Sequence, residues 1–133
     1  MNIALMAHEG KNELMVQFCI AYCGILAGHE LCATSTTGKL IAEATGLPVS
    51  LYLSEKQGGV QQIGARITFN EIDLVIYLRD PKSTRTKGLD EIARLCDERM
   101  IPFASNIATA EVLVQGLRRG DLDWRDIVNP KKK

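Results

Sequence analysis

The chain has 133 residues, which is enough for one domain with a sizeable core, and residues 1–133 are treated as a single domain. Hydrophobic residues make up 46% and charged residues 24%, as in an ordinary soluble globular protein. Sixteen basic and sixteen acidic residues cancel, so charge gives no support for a nucleic-acid partner or an anionic membrane partner.

Apolar segments and helical patterns alternate along the chain. In chain order they predict strand 2–7, helix 13–26, strand 30–33, helix 39–45, strand 48–53, helix 61–67, strand 73–78, helix 88–98, strand 101–104 and helix 109–118. A polar tail with Trp124 and three terminal lysines, a predicted solvated segment, follows. Alternation with short connections favours a parallel sheet covered on both faces. The predicted fold is a three-layer α/β domain with a five-stranded, mostly parallel sheet.

The loops that follow the predicted strands carry most of the unusual residues. They are residues 8–12, 34–38, 54–59, 79–88 and 105–108. In open parallel sheets, ligands bind beyond the carboxyl ends of the strands. We therefore expect a binding site at this edge of the sheet.

One of these loops is rich in hydroxyl residues. Four of them, Thr34, Ser35, Thr36 and Thr37, precede Gly38 and a predicted helix. Free N–H groups and the positive end of the dipole at a helix start, together with short hydroxyl donors, can form a phosphate cradle. Serine and threonine also make N-caps and turns, so the segment alone leaves the two interpretations about equal.

The remaining loops add single candidates. His8 and Glu9 follow the first strand and form a candidate pair at a strand end. Asp80 follows the most hydrophobic strand and could instead cap a turn. Gly58 and Gly59 indicate a tight turn. None of these residues is decisive alone, but their placement at one edge favours a ligand site there.

Four cysteines suit a reducing compartment. Residues 2–7 are too short for a signal sequence, and no apolar run reaches membrane-spanning length, so a cytoplasmic location is expected. Cys19, Cys23, Cys32 and Cys96 are then expected to be buried thiols. With two histidines in the chain, a zinc site is not expected.

The order of these motifs resembles that of the methylglyoxal synthase family along nearly the whole chain. The matching segments are residues 3–8, 33–38, 43–46, 58–65, 73–76, 80–81 and 105–109. The resemblance implies a homohexameric cytoplasmic lyase that converts dihydroxyacetone phosphate to methylglyoxal and phosphate. It implies no metal or organic cofactor, and its ligand partner is a small phosphorylated metabolite or inorganic phosphate.

The resemblance also implies roles for individual residues. Phosphate-binding positions fall on Thr34, Thr36, Thr37 and Ser54. The resemblance places catalytic residues at four positions, namely His8, Glu9, Asp80 and Asp90. Glu9 stands where the family usually has aspartate.

Several site positions depart from the family pattern. The family's catalytic aspartate lies in a Gly-Gly-Asp-Gln-Gln run, and here Val60 follows Gly59 in that run. Glu55 replaces a phosphate-contacting glycine, Asn12 replaces a lysine, and Lys87 falls at the position of a histidine. The departures cluster in the loops, whereas the scaffold motifs match.

Three functions are compatible with this pattern. The first is a diverged lyase acting on a small phosphorylated carbonyl compound, with the base moved to Glu9, Glu55 or Asp80. The second is a non-catalytic ligand-binding or regulatory module of the same fold. The third is an ordinary methylglyoxal synthase, against which Val60 argues because valine cannot accept a proton.

Overall fold

The computed structural model describes residues 1–128, and the lysine tail lies outside them. Five strands form one sheet: β1 (Asn2–Ala7), β2 (Glu30–Ala33), β3 (Val49–Leu51), β4 (Leu74–Leu78) and β5 (Phe103–Ala104). Their spatial order is β3-β2-β1-β4-β5, and all four pairings are parallel. The predicted α/β fold is therefore confirmed.

Helices cover both faces of this sheet. They are α1 (Asn12–Ala21), α2 (Cys23–Leu26), α3 (Ser35–Thr45), α4 (Gly59–Thr68), α5 (Lys87–Arg99), α6 (Ile107–Arg119) and α7 (Trp124–Val128). Buried side chains of α1, α3 and α6 pack in one core with one face of the sheet, and those of α4 and α5 pack in a second core with the other face. The three layers arise because strand side chains alternate between the two cores.

The helix predicted over residues 13–26 is broken at Tyr22. Its backbone (φ −107°, ψ 20°) separates α1 from α2. The break coincides with a tertiary contact, because the Tyr22 ring packs 5.0 Å from that of Phe18 and its hydroxyl donates to Glu111 of α6. Hydrophobic periodicity reports only neighbours along the chain, so it does not predict a contact between Tyr22 and Glu111.

Most other predicted boundaries differ from the structure by one or two residues, as in β3, β5, α4 and α6, and two predictions differ by more. Helix α3 begins at Ser35 instead of residue 39, so residues 35–38 form its first turn and Thr34 is the N-cap. Serine and threonine suit a first turn even though they are weak helix formers in an interior. The predicted polar tail contains α7, which is anchored by the buried side chain of Arg125.

The strand order determines where the site lies. The chain winds from β1 outward to β3 and then returns to place β4 on the other side of β1. The carboxyl ends of β1, β2 and β4 are therefore neighbours, and the loops after them meet at the point where the winding direction reverses.

The cysteines of the described residues are all free thiols. Cys19, Cys32 and Cys96 are buried as predicted, whereas Cys23 is half-buried. Burial raises the pKa of Cys19 and Cys96 to about 12 and that of Cys32 to about 11, so these thiols stay protonated at neutral pH. No helix within residues 1–128 is long and apolar enough to cross a membrane.

Candidate functional site

A cavity of about 820 Å³ lies at the carboxyl ends of β1, β2 and β4. Most of the residues singled out from the sequence line it: His8, Glu9, Asn12, Thr34, Thr36, Thr37, Ser54, Glu55 and Asp80. Seven residues that the sequence did not single out also contribute, namely Ala7, Gly10, Lys56, Lys82, Ser83, Thr84 and Arg85. They lie in or beside the loops that the sequence places at this edge of the sheet. Their position in those loops is the sequence signal that could have identified them.

His8 is buried at the end of β1 and has one free donor. Its Nδ1 accepts a hydrogen bond of 2.9 Å from the backbone N–H of Asp80. A neutral ring must then carry its proton on Nε2, an assignment inferred from that bond. This Nε2 is buried and has no hydrogen-bond partner among the described residues. Such an atom costs free energy unless a ligand accepts its hydrogen, so His8 is a candidate ligand contact.

The start of α3 supplies further donors. The N–H groups of Thr36 and Thr37 belong to the first helical turn and have no acceptor within the helix. The buried hydroxyl of Thr37 donates to Asn12 Oδ1 over 2.6 Å, which links this turn to α1. The exposed hydroxyl of Thr36 lines the cavity. Together with the helix dipole, these groups favour an anionic ligand.

The Ser54 loop closes one side of the cavity. Residues Glu55–Gln57 form a short 3₁₀ helix, and Gly58 (φ +100°) reverses the chain before α4. A Cβ at Gly59 would lie 1.8 Å from the Leu53 carbonyl oxygen, so no side chain fits there. The absence of a side chain at Gly59, in the turn predicted from the sequence, therefore lets α4 pack directly against the loop that carries Ser54 and Glu55.

The three carboxylates of the cavity are held differently. Asp80 Oδ1 accepts the backbone N–H of Lys82 at 3.0 Å, and its Oδ2 packs against Gly10, so this side chain shapes a turn. Glu9 is exposed on a 3₁₀ helix. Glu55 faces the hydroxyl of Tyr77, whose pKa is raised by burial and by the negative charge of Glu55.

Lys87 and Val60 line a second cavity of about 400 Å³ between α4 and α5. Val60 is only 4% exposed and belongs to the apolar core on this face of the sheet. Its Cγ1 lies 3.4 Å from where a Cβ of Gly88 would be, and the Tyr77 hydroxyl lies 3.8 Å from the same point. The second cavity therefore presents methyl groups at the position where the family resemblance places a carboxylate.

Asp90 lies outside both sets of lining residues. Its carboxylate is paired with Arg79 Nη2 at 2.8 Å, and this hydrogen bond lowers the pKa of Asp90. The pair ties the first turn of α5 to the end of β4. Within residues 1–128, no three His, Cys, Asp or Glu side chains are grouped as a metal site would require.

The chain is similar to a known protein family and to several known proteins. The MGS-like domain family matches residues 15–105. The chain is 59% identical to the methylglyoxal synthase of Caldicellulosiruptor saccharolyticus, over 98% of this chain and 94% of that protein. It is 52% identical to the enzyme of the same name from Geobacillus thermodenitrificans, over 100% of this chain and 94% of that protein.

A solved structure is also similar. The crystal structure of methylglyoxal synthase from Elizabethkingia anophelis NUHP1 has a TM-score of 0.77 and 36% identity, covering 85% of this chain and 76% of that one. The family match spans more than half of the chain, and the sequence relatives cover nearly all of it. The chain therefore belongs to the MGS-like domain family and, within it, to the methylglyoxal synthases and their relatives.

Proposed function

We propose that this protein is a diverged lyase of the methylglyoxal synthase family that acts on a small phosphorylated carbonyl compound. The observation that carries the proposal is the donor set of the larger cavity, where the buried His8 Nε2–H and the first turn of α3 point to one anionic ligand. The family membership supplies the reaction class. Dihydroxyacetone phosphate is the first substrate to test.

The phosphate of the substrate binds at Thr34, Thr36, Thr37 and Ser54 in this proposal. The half-buried Ser54 hydroxyl donates to Gln57 Oε1 over 3.1 Å, and in this proposal it turns from that acceptor to the phosphate when the ligand binds. Basic side chains of Lys56, Lys82 and Arg85 balance Glu9, Glu55 and Asp80 around the cavity. Binding therefore depends on directed hydrogen bonds more than on net charge.

The double variant Thr36→Ala/Thr37→Ala should lower the affinity for inorganic phosphate at least about tenfold. Thr36→Ala removes a hydroxyl that lines the cavity, and Thr37→Ala removes the bond to Asn12 that holds this turn in place. A hydrogen bond to a charged group contributes about 1.5–3 kcal/mol. Titration calorimetry measures the change. Ser35→Ala is the matched control, because Ser35 lies on the same helical turn but does not line the cavity. Equal affinities in the double variant and the control would reject this phosphate site.

Glu55 is the carboxylate that we assign as base, because Asp80 is engaged in its turn and Glu55 lies between the two cavities. The carboxylate takes the proton from the carbon next to the carbonyl, and the electron pair left behind forms an enediolate. The C–O bond to phosphate then breaks and its electron pair leaves with the phosphate, while the proton held by Glu55 returns to the products, which are inorganic phosphate and the enol of methylglyoxal. His8 Nε2–H is the donor available to stabilise the developing oxyanion.

The variant Glu55→Gln should separate binding from turnover. Loss of the base should lower the rate of methylglyoxal release by about 10²–10⁴-fold, whereas removal of a negative charge should leave phosphate affinity unchanged or tighter. A colorimetric assay and calorimetry measure the two quantities. Glu43→Gln, an exposed helical position outside both cavities, is the control. Unchanged turnover in Glu55→Gln would move the base to Glu9 or Asp80.

A non-catalytic ligand-binding or regulatory module is the second candidate function. The apolar burial of Val60 favours it, because the resemblance places the family's proton acceptor at this position. The two functions are distinguished by incubating the protein with dihydroxyacetone phosphate. Release of phosphate and methylglyoxal in equal amounts supports the lyase, and saturable binding without consumption supports the module.

We also propose that the protein is a cytoplasmic homo-oligomer, a hexamer as the resemblance implies. Large apolar side chains in different parts of the fold are exposed in the single chain, among them Phe69 (75%) and Ile127 (82%). Multi-angle light scattering at micromolar concentration should give a mass about six times the 14.7 kDa of one chain. A monomer mass would contradict this prediction.

A further inference from the structure

The second cavity is apolar where the first is polar. It lies between the first turns of α4 and α5, with a floor formed by Val60, Gly64, Gly88 and Ile92. Val60 and Ile92 are 4% and 1% exposed, so only a small part of each side chain reaches the cavity, and packing in the core holds that part in a fixed position. A cavity of this size and lining suits a hydrocarbon group better than a hydrated anion.

Two residues connect the cavities. Glu55 and Arg85 line both, from the Ser54 loop and from the loop after β4 respectively. A compound that extends from the first cavity into the second therefore passes between a carboxylate and a guanidinium. The rim of the second cavity carries Lys87 and Glu91 as well, so its formal charges cancel and leave the apolar floor to select the ligand.

The first cavity is large enough by itself for a small phosphate ester. A triose phosphate has about ten non-hydrogen atoms, and sites of a few hundred Å³ hold whole drug-sized ligands. The cavity of about 820 Å³ at the hydroxyl-rich turn already exceeds that need. A ligand of only three carbons would fit within the first cavity and would not reach the second.

We infer that the two cavities form one binding site for an organic phosphate that carries an apolar substituent longer than a triose. The phosphate lies at the first turn of α3, and the substituent lies on Val60 and Ile92. The inference rests on the proposed function for the phosphate end and adds the substrate class. The reacting carbon of such a substrate would lie beside Glu55, between the two halves of the site.

A homologous series of ligands tests this arrangement. Inorganic phosphate and propyl, butyl, pentyl and hexyl phosphate are titrated into the protein by calorimetry. Affinity should rise up to about fourfold for each added methylene, because burying one methylene contributes about 0.8 kcal/mol. Inorganic phosphate should compete with every member, since all of them share the phosphate position.

Val60→Thr is the variant that tests the apolar floor. Threonine has nearly the shape of valine but places a hydroxyl at the floor of the second cavity. The increase in affinity for each added methylene should therefore be at least about twofold smaller, while the affinity for inorganic phosphate stays the same. Val112→Thr makes the same chemical change at an exposed position of α6 and should leave the whole series unchanged.

The outcomes separate the inference from the function on which it rests. If inorganic phosphate binds but the affinity does not rise from propyl to hexyl phosphate, the two-part site is overturned and the proposed function stands. A rising series that inorganic phosphate does not displace, or that is unchanged in Val60→Thr, also overturns it. Absence of binding by every member overturns both proposals.

Discussion

Val60→Asp should raise the rate of methylglyoxal release from dihydroxyacetone phosphate by about 10²-fold or more. A general base typically contributes about 10²–10⁴-fold, and the resemblance places the family's base at this position. Here the position lies at the second cavity, near Gly88 and the Tyr77 hydroxyl. The cationic side chains of Arg85 and Lys87 line the same cavity and reduce the cost of placing a carboxylate beside an apolar core.

Val60→Asn is the matched control for this gain. Asparagine has the size and polarity of aspartate but cannot take a proton, so any increase it produces comes from pocket shape. Both variants should first show circular dichroism and thermal unfolding like those of the unaltered protein. The rate is measured as the release of both methylglyoxal and inorganic phosphate, since the lyase reaction forms them in equal amounts.

A folded Val60→Asp variant without increased activity would weaken the lyase proposal. It would mean that Glu55, Asn12 and Lys87 have changed the pocket as well, and the binding-module function would gain. The double variant Val60→Asp/Glu55→Gly then tests the largest of these changes, because it restores two family residues together. Release of methylglyoxal by the unaltered chain at about 1–10³ s⁻¹, typical of enzymes, would show that Val60 does not limit turnover.

Arg125→Met should lower the free energy of unfolding by about 3–5 kcal/mol. Arg125 and Asp73 form an ion pair whose side chains are 1% and 2% exposed, with Nε 3.4 Å from Oδ1. Replacing Arg125 takes a cation away from a buried carboxylate, which is far more costly than the loss of a surface pair. Denaturant titration measures the change, and the melting temperature should fall by roughly 10 °C or more.

The connections of Arg125 explain why the effect should be global. Its Nη1 donates to the carbonyl oxygen of Met100 at 2.7 Å, where the chain leaves α5 with a positive φ of 54°. Asp73 Oδ2 accepts the backbone N–H of Asn2 at 2.8 Å. The ion pair thus joins α7 to the ends of α5 and to the start of the central strand β1.

Arg119→Met is the control for this prediction. Arg119 also forms an ion pair, with Asp121 at 2.9 Å, but both side chains are more than half exposed. An exposed pair contributes about 0–1 kcal/mol, so this variant should be nearly neutral. The double variant Asp73→Asn/Arg125→Met should recover part of the loss by removing the negative charge that remains in the core. A loss under about 1 kcal/mol in Arg125→Met would contradict the argument.

Much of the fold follows from local pattern. The sequence predicts five strands, the parallel α/β class and the edge at which the loops gather, because burial on both faces requires near-continuous apolar runs such as residues 74–78. It also singles out nine of the residues that line the first cavity, among them His8 and Asp80. These features depend on neighbours within a few positions along the chain, which is the range that hydrophobic periodicity reports.

The rest depends on contacts between distant parts of the chain. His8 meets the Asp80 N–H 72 positions away, and this contact fixes which ring nitrogen is the donor. Arg125 meets Asp73 52 positions away, which makes α7 part of the core instead of a polar tail. The division of the site into a hydroxyl-lined cavity and an apolar one likewise arises from the packing of α4 against α5. By itself the sequence determined the fold class, the family and the polar edge of the sheet. Only the tertiary structure decided which polar groups are paired, because pairing depends on three-dimensional distance and not on residue type.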